Sequence, residues 1–290
     1  MTPRNGTNAA EESLRYITET KHGLAMTNSL FKRQDPLINK LELIDDDHSE
    51  HLMRELASVD RPTVLAFLNQ HAYNLAQQSP PVRRRFNQMS YLLRDGIGIK
   101  LACKLNGRDP KANMNGSDFI PKLIDHLVTN GADRYQFFAM GTREPWLSKG
   151  ARRLFKDAPF FAIDGFQSDR NYLDHIQRHS RKDKVPVVVL AMGMPKQEEI
   201  AVRMQEQLQG PALLICGGAI LDFAAERFNR APMVFRKTGL EWLYRLLREP
   251  RRLARRYVIG IPQFFYYITR NGITARGDSH QRRQVREQES

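Results

Sequence analysis

The sequence predicts an α/β fold in which a mainly parallel sheet carries helices on both faces, followed by a basic helical appendage. Three observations lead there. Short apolar runs alternate with amphipathic helical stretches from about residue 50 to residue 216. The runs are apolar throughout rather than at every second residue, the pattern of strands buried on both faces. Positive charge then gathers at one end: Arg227–Tyr257 holds ten Lys and Arg against two Glu, well over half of the chain's +13.

In chain order, residues 1–36 are polar and aperiodic and read as a mobile arm. Glu50–Val59 is the first helix of the core and Thr63–Phe67 (TVLAF) the first strand. Gln70–Gln78 is a short helix that Pro80-Pro81 should stop. Leu92-Leu93 leads into the loop Asp95-Gly96-Ile97-Gly98, and Ile99–Leu105 continues as a helix. Asn115-Gly116-Ser117-Asp118 is an N-cap signal for the helix Phe119–Asn130, which Gly131 ends. Three strand–helix pairs follow: Tyr135–Met140 with Pro145–Lys156, Phe160–Ile163 with Asn171–Ser180, and Val185–Met192 with Gln197–Gln207. Ala212–Cys216 is the last strand and ends in Gly217-Gly218, which closes a Rossmann-like core over residues 37–226. Residues 227–270 form the appendage, and residues 271–290 a disordered tail.

Within the appendage, a 100° step per residue over Leu240–Tyr257 puts Leu240, Leu243, Leu246, Leu247, Leu253, Trp242 and Tyr257 on one side. Arg245, Arg248, Arg251, Arg252, Arg255 and Arg256 fall on the other. Pro250 breaks or kinks the helix at Glu249 and suits the first turn of a second one. An amphipathic cation beside the aromatic stretch Val258–Ile268 has the composition of a segment lying in an anionic lipid interface. The apolar run is far shorter than the roughly 20 residues that cross a bilayer.

The bulk numbers agree with that division. A pI near 9.9 points to anionic partners: nucleic acid, lipid headgroups or phosphorylated substrates. Cys103 and Cys216 each sit in an apolar run, so they read as reduced core residues, with no zinc signature and no metal site. A polar N-terminus without a signal-peptide run places the protein in the cytoplasm or on that face of a membrane.

Ligands of an open parallel sheet bind beyond the carboxyl ends of its strands. Those ends carry Asn69-Gln70-His71, Asp95-Gly96, Gly141-Thr142-Arg143, Asp164-Gly165, Gly193-Met194-Pro195-Lys196-Gln197-Glu198 and Gly217-Gly218 with Asp222. Glycine at such ends lets backbone approach a phosphate closely, with helix N–H groups aimed at the anion. None of the loops is GxGxxG or a P-loop, which argues against dinucleotide and NTPase chemistry. Taken singly, Asp95 reads equally as a helix cap, Gln197 and Glu198 as solvated first-turn residues, and His71 as a satisfied loop histidine.

Together these blocks resemble the WecG/TagA/CpsF glycosyltransferases (glycosyltransferase family 26) over roughly Ile38 to Tyr267. The matching residues are Leu68-Asn69, Arg94-Asp95-Gly96-Ile97-Gly98, Asn115–Asp118, Gly193–Glu198, Asp222-Phe223, Arg230-Ala231-Pro232, Gly239–Leu246 and Glu249-Pro250-Arg251-Arg252. The resemblance implies an inverting, metal-independent transferase that needs no cofactor. It would move a hexose from a UDP-sugar donor to a polyprenyl-diphosphate-linked sugar acceptor at the inner face of the bacterial cytoplasmic membrane, for exopolysaccharide or another cell-surface glycan. It implies Asp95 as general base and Gln197 and Asn69 at the donor, with Asn113, Asp118, Gly141, Gly193 and Asp222 as further substrate-binding positions. It gives Arg245, Arg252 and Arg255 to the acceptor diphosphate and the anionic membrane surface. Family members self-associate, so a homo-oligomer is expected too. Two departures stand in the donor neighbourhood: Phe67 where many members carry threonine, and Asn113 where many carry arginine. They favour glucose or another hexose over N-acetylmannosamine. The alternative is a nucleic-acid-binding module that uses the basic helix; the missing stacking platform in the sheet region and the neighbouring Phe264–Tyr267 favour lipid, and no nucleic-acid partner is expected.

Overall fold

The computed structural model describes residues 35–228, 231–237 and 241–271. The rest of the expected arm, Arg230, the segment 238–240 and the tail from residue 272 lie outside them. Six strands form one sheet: β1 (Pro62–Leu68), β2 (Tyr91–Arg94), β3 (Tyr135–Gly141), β4 (Phe160–Asp164), β5 (Val185–Ala191) and β6 (Ala212–Cys216). Their order is β2-β1-β6-β5-β3-β4, and every neighbouring pair is parallel. The period of two along a strand divides the core. Val64, Ala66 and Leu68 enter one apolar cluster, while Leu65 and Phe67 enter the other.

A short helix α1 (Pro36–Asn39) is followed by α2 (Ser49–Ala57), α3 (Gln70–Gln78), α4 (Pro80–Gln88), α5 (Gly96–Leu105) and α6 (Gly116–Gly131). Next come α7 (Trp146–Leu154), α8 (Asp169–His179), α9 (Lys196–Gln207) and α10 (Ile220–Ala224). Helices α3, α4, α5, α8 and α9 cover one face; α2, α6, α7 and α10 cover the other. The sequence missed α4. Pro80-Pro81 does not merely stop α3: Ser79 takes an extended conformation (φ −133°, ψ 108°) and Pro80 opens a new helix. Proline at that position gives up an N–H that no helix uses.

The C-terminal chain contributes α11 (Met233–Lys237), α12 (Glu241–Arg248) and α13 (Pro250–Ala254), a π-type turn (Arg255–Ile259), and a last helix α14 over 260–271. The expected break falls at Glu249 (φ −132°, ψ 55°), with Pro250 starting the next helix. Helix α14 packs back into the core. Phe264 is 2% exposed and meets Tyr73 edge-on at 5.4 Å between ring centres, and Ile268 is buried beside it. Asn74 Nδ2 donates to Gly260 O at 2.7 Å. At the far end, Asn271 Nδ2 donates to Asp35 Oδ2 (3.0 Å) and Tyr73 Oη (2.9 Å), while Tyr73 also donates to Asp35. The described parts of the chain between Ala225 and Gly260 therefore form a strap anchored at both ends, whose own Leu253 and Tyr257 are buried.

Strand β3 leads outward to β4, whereas β5 leads inward to β6. Their carboxyl ends thus flank a point where the winding reverses, the usual crevice of such sheets. Gly141 belongs to this packing. A Cβ there would lie 2.3 Å from Ala191 O, so only glycine lets the two strand ends approach so closely.

Candidate active site

A cleft of about 1170 Å³ opens over the carboxyl edge of the sheet. Of the positions singled out in the sequence, Asn69, Asp95, Gly193, Gln197, Asp222 and Arg255 line it. Asn113, Asp118 and Gly141 do not, though each supports a residue that does.

Asp95 directly follows β2, and its N–H donates to Leu68 O at 2.9 Å, which fixes it beside β1. It occupies the N-cap position of α5 without a side-chain cap bond, and it lines the cleft. Asn69 does cap: its Oδ1 accepts from Ala72 N at 3.0 Å. Its Nδ2 donates to Asp95 Oδ2 at 3.3 Å. One rigid helix start therefore orients the neighbouring acid. Beneath the loop, the buried Arg94 donates to Pro110 O (2.8 Å), Ala112 O (3.1 Å), Lys111 O (3.1 Å) and Gly96 O (3.2 Å). Asn113 Oδ1 accepts from Gly96 N at 2.8 Å, so Asn113 holds the Asp95 loop from outside the cleft. Asn115 caps α6 by accepting from Asp118 N (3.0 Å), and its Nδ2 donates to Asp118 Oδ2 (2.9 Å). That cap presents Gly116 and Ser117 to the cleft, and the Phe67 ring packs against Gly116.

On the other side, Gly193 turns the chain with φ +81° into α9. Gln197 and Glu198 are buried, not the solvated first-turn residues the sequence suggested. Gln197 Oε1 accepts from Gly218 N (2.9 Å) and its Nε2 donates to Glu198 Oε1 (2.7 Å), which ties the ends of β5 and β6 together. Burial pushes the Glu198 carboxyl up to about 7, and its Oε2 has no hydrogen-bond partner among the described residues. Lys196 Nζ is engaged with Gly165 O and Gln167 O (both 2.9 Å) and Tyr172 Oη (3.2 Å). It holds the β4–α8 loop, where Phe166 is 67% exposed at the rim with the Arg143 guanidinium 4.8 Å over its ring.

Asp222 Oδ1 accepts from Thr142 Oγ1 (2.8 Å) and from Arg227 Nη1 (3.0 Å). From the strap, Arg255 and Arg256 also line the cleft. Burial, then Arg256, pulls His71 down to about 4, so this cleft histidine is neutral at pH 7 and a poor proton acceptor. The side chains of Arg245 and Arg252 lie outside the described residues; their backbones are in α12 and α13. Among the described residues no three His, Cys, Asp or Glu groups converge as metal ligands, and no helix is long and apolar enough to cross a membrane. Cys103 and Cys216 are buried and free.

Thr142, Arg227 and Arg256 escaped the sequence reading as site residues. Position after a strand end was the only signal for Thr142, and the two arginines were indistinguishable from their basic neighbours. The arrangement offers a carboxylate held by an amide, backbone turns at several strand ends, and guanidinium groups across the gap. Such a set suits deprotonating a hydroxyl next to a diphosphate.

The chain is 25% identical over 258 residues to an N-acetylglucosaminyldiphosphoundecaprenol N-acetyl-beta-D-mannosaminyltransferase of Bacillus spizizenii, covering 87% of this chain and 96% of the relative. It is 25% identical over 206 residues to a protein of the same name from Staphylococcus aureus, covering 70% and 78%. Residues 39–278 match the family described as Glycosyl transferase WecG/TagA/CpsF. With its parallel sheet and the cleft at its edge, the chain belongs to the WecG/TagA/CpsF glycosyltransferase family.

Proposed function

We propose that the protein is an inverting, metal-independent hexosyltransferase that uses a UDP-sugar donor and a polyprenyl-diphosphate-linked sugar acceptor in cell-surface glycan or exopolysaccharide synthesis. The observation that carries this reading is the Asp95 carboxylate. It is not used as a helix cap, is oriented by Asn69, and lines a cleft that Arg227, Arg255 and Arg256 also line. Asp95 takes the proton of the acceptor hydroxyl as its oxygen bonds to the anomeric carbon. The bond from that carbon to the UDP oxygen breaks on the opposite side, which inverts the centre. A general base of this kind contributes about 10²–10⁴-fold.

Charge grows on the departing diphosphate. Arg255 and Arg256 of the strap, which line the cleft, neutralise it. Gln197, clamped by Gly218 and Glu198, presents a fixed amide to the donor sugar. Phe166 and the Arg143 guanidinium offer a flat face for the nucleobase. Where many family members carry a threonine hydroxyl, the Phe67 ring fills the floor against Gly116, which favours glucose or an N-acetylhexosamine other than N-acetylmannosamine.

In this reading residues 37–226 form the transferase core. Of the 227–270 appendage, the strap meets acceptor diphosphate and membrane, with Arg245 and Arg252 alongside Arg255, while α14 completes the core. The protein works on the cytoplasmic face of the membrane without crossing it, and self-association belongs to the same expectation. A nucleic-acid groove is the weaker reading, because Arg255 and Arg256 of the strap line the cleft over the sheet edge. The test is UDP release across a set of UDP-sugars with a polyprenyl-diphosphate-linked sugar as acceptor. One donor should turn over, and Asp95→Asn should keep the fold while losing about 10²–10⁴-fold of the rate. Near-wild-type turnover by Asp95→Asn removes Asp95 from the scheme.

A further inference from the structure

Helix α5 begins one residue after Asp95, and its outward face is not that of an ordinary solvated helix. Ile97, Leu101 and Leu105 recur every fourth residue and are 52%, 36% and 37% exposed. The remaining exposed side chains of that face are Lys100 and Lys104. A 100° step per residue resolves the two kinds. Gly98 marks the flank turned toward α14, since a Cβ there would lie 3.6 Å from the Phe264 ring. Leu101 and Leu105 fall on that flank, and the two lysines on the other.

Helix α14 repeats the arrangement from its side. Gln263 and Arg270 mark the flank that bonds to Gln78 and Gln77 of α3. The opposite flank, toward α5, carries Ile261 and Phe265, the latter 47% exposed. On this placing Leu101 and Leu105 lie on the flank of α5 that faces the Phe265 and Ile261 side of α14. Ile97 heads the apolar strip two residues after Asp95, and Lys100 and Lys104 form its other border.

We infer that this α5–α14 strip is a second membrane-docking surface, distinct from the basic strap, and that its partner is an anionic lipid bilayer. An apolar stripe with lysines along one border matches acyl chains below anionic headgroups. Its start beside Asp95 brings the cleft mouth to headgroup depth, where the diphosphate of a lipid-linked acceptor lies. The strip carries the hydrocarbon contact and the strap carries charge, so the two act together to fix the orientation of the cleft. The inference deepens the proposed use of a polyprenyl acceptor and rests on it, but its first readout needs no turnover.

The test is flotation of the full chain with vesicles of phosphatidylglycerol and phosphatidylethanolamine, compared with phosphatidylcholine. The pair Leu101→Gln with Leu105→Gln should lower partitioning about tenfold. The pair Lys100→Gln with Lys104→Gln should lower it about twentyfold on anionic vesicles, with no change on phosphatidylcholine. Both variants should keep the wild-type thermal transition, since all four side chains are exposed. Turnover of an acceptor embedded in vesicles should fall with partitioning, while turnover of a water-soluble short-chain acceptor stays within about twofold of wild type. Undiminished flotation by both variants overturns the proposal. So does loss of a dimer in sedimentation with flotation retained, which makes a second copy of the chain the occupant. If no acceptor is turned over while flotation still falls, the docking surface stands and the transferase reading is what fails.

Discussion

Glu198 sits wholly inside the protein. One carboxyl oxygen takes the Gln197 amide, and the other has no hydrogen-bond partner among the described residues. Burial raises its pKa from 4.5 to about 7. A folded-state pKa above the unfolded value means that the native protein holds this proton more tightly. The stability contributed is fully present below about pH 4.5 and is lost as pH rises to about 7. At 1.36 kcal/mol per pH unit, the native state above pH 7 forgoes about 3 kcal/mol relative to one that carries a neutral group there. At pH 5 the loss is still only about 1 kcal/mol.

Glu198→Gln keeps the shape and the acceptor for Gln197 and removes the titration. Its own baseline offset is the same at every pH, so it cancels when pH values are compared. Relative to wild type, the variant should gain about 2 kcal/mol of stability between pH 5 and pH 8. Urea denaturation at several pH values measures this directly. His71, held down to about 4, weakens the fold as pH falls below 6.5, but it does so equally in both proteins and drops out. Parallel pH dependences for wild type and variant would refute a carboxyl titrating near neutrality at this site.

Two further expectations concern how the site is held. Phe264→Ala removes a ring that is 2% exposed and packed on Tyr73 and Gly98, so it should cost about 3–5 kcal/mol by denaturant titration. A loss under about 1 kcal/mol would mean that α14 is not part of the core. For the same reason the segment whose removal tests the strap is 233–259, which leaves α14 in place. Asn69→Ala deletes the α3 cap and the Asp95 contact, and should cost about 1 kcal/mol of stability but a larger share of turnover. Equal small losses in both would reduce Asn69 to a cap.

The sequence by itself determined the α/β class, the succession of the six strands, the break at Pro250 and the row of polar residues at strand ends. Each is written in local terms: apolar run length, helical period, a proline without an N–H. The proposed roles of Asp95 and Gln197 were legible because their blocks resemble those of a known family. Proline's two uses were not separable locally, so Pro80 reads as a stop whether or not a helix follows. Depth was hidden as well. The polar pair Gln197-Glu198 looks like a solvated first turn until β6 and its Gly218 are laid beside α9. Only the tertiary structure decided that Asn113 and Asp118 support the cleft without lining it, and that Arg256 faces His71. It also decided that the aromatic C-terminus buries Phe264 beside Tyr73 and leaves Phe265 outward. These are contacts between residues far apart in the chain, and the free energy that selects them comes from the packing of the whole core.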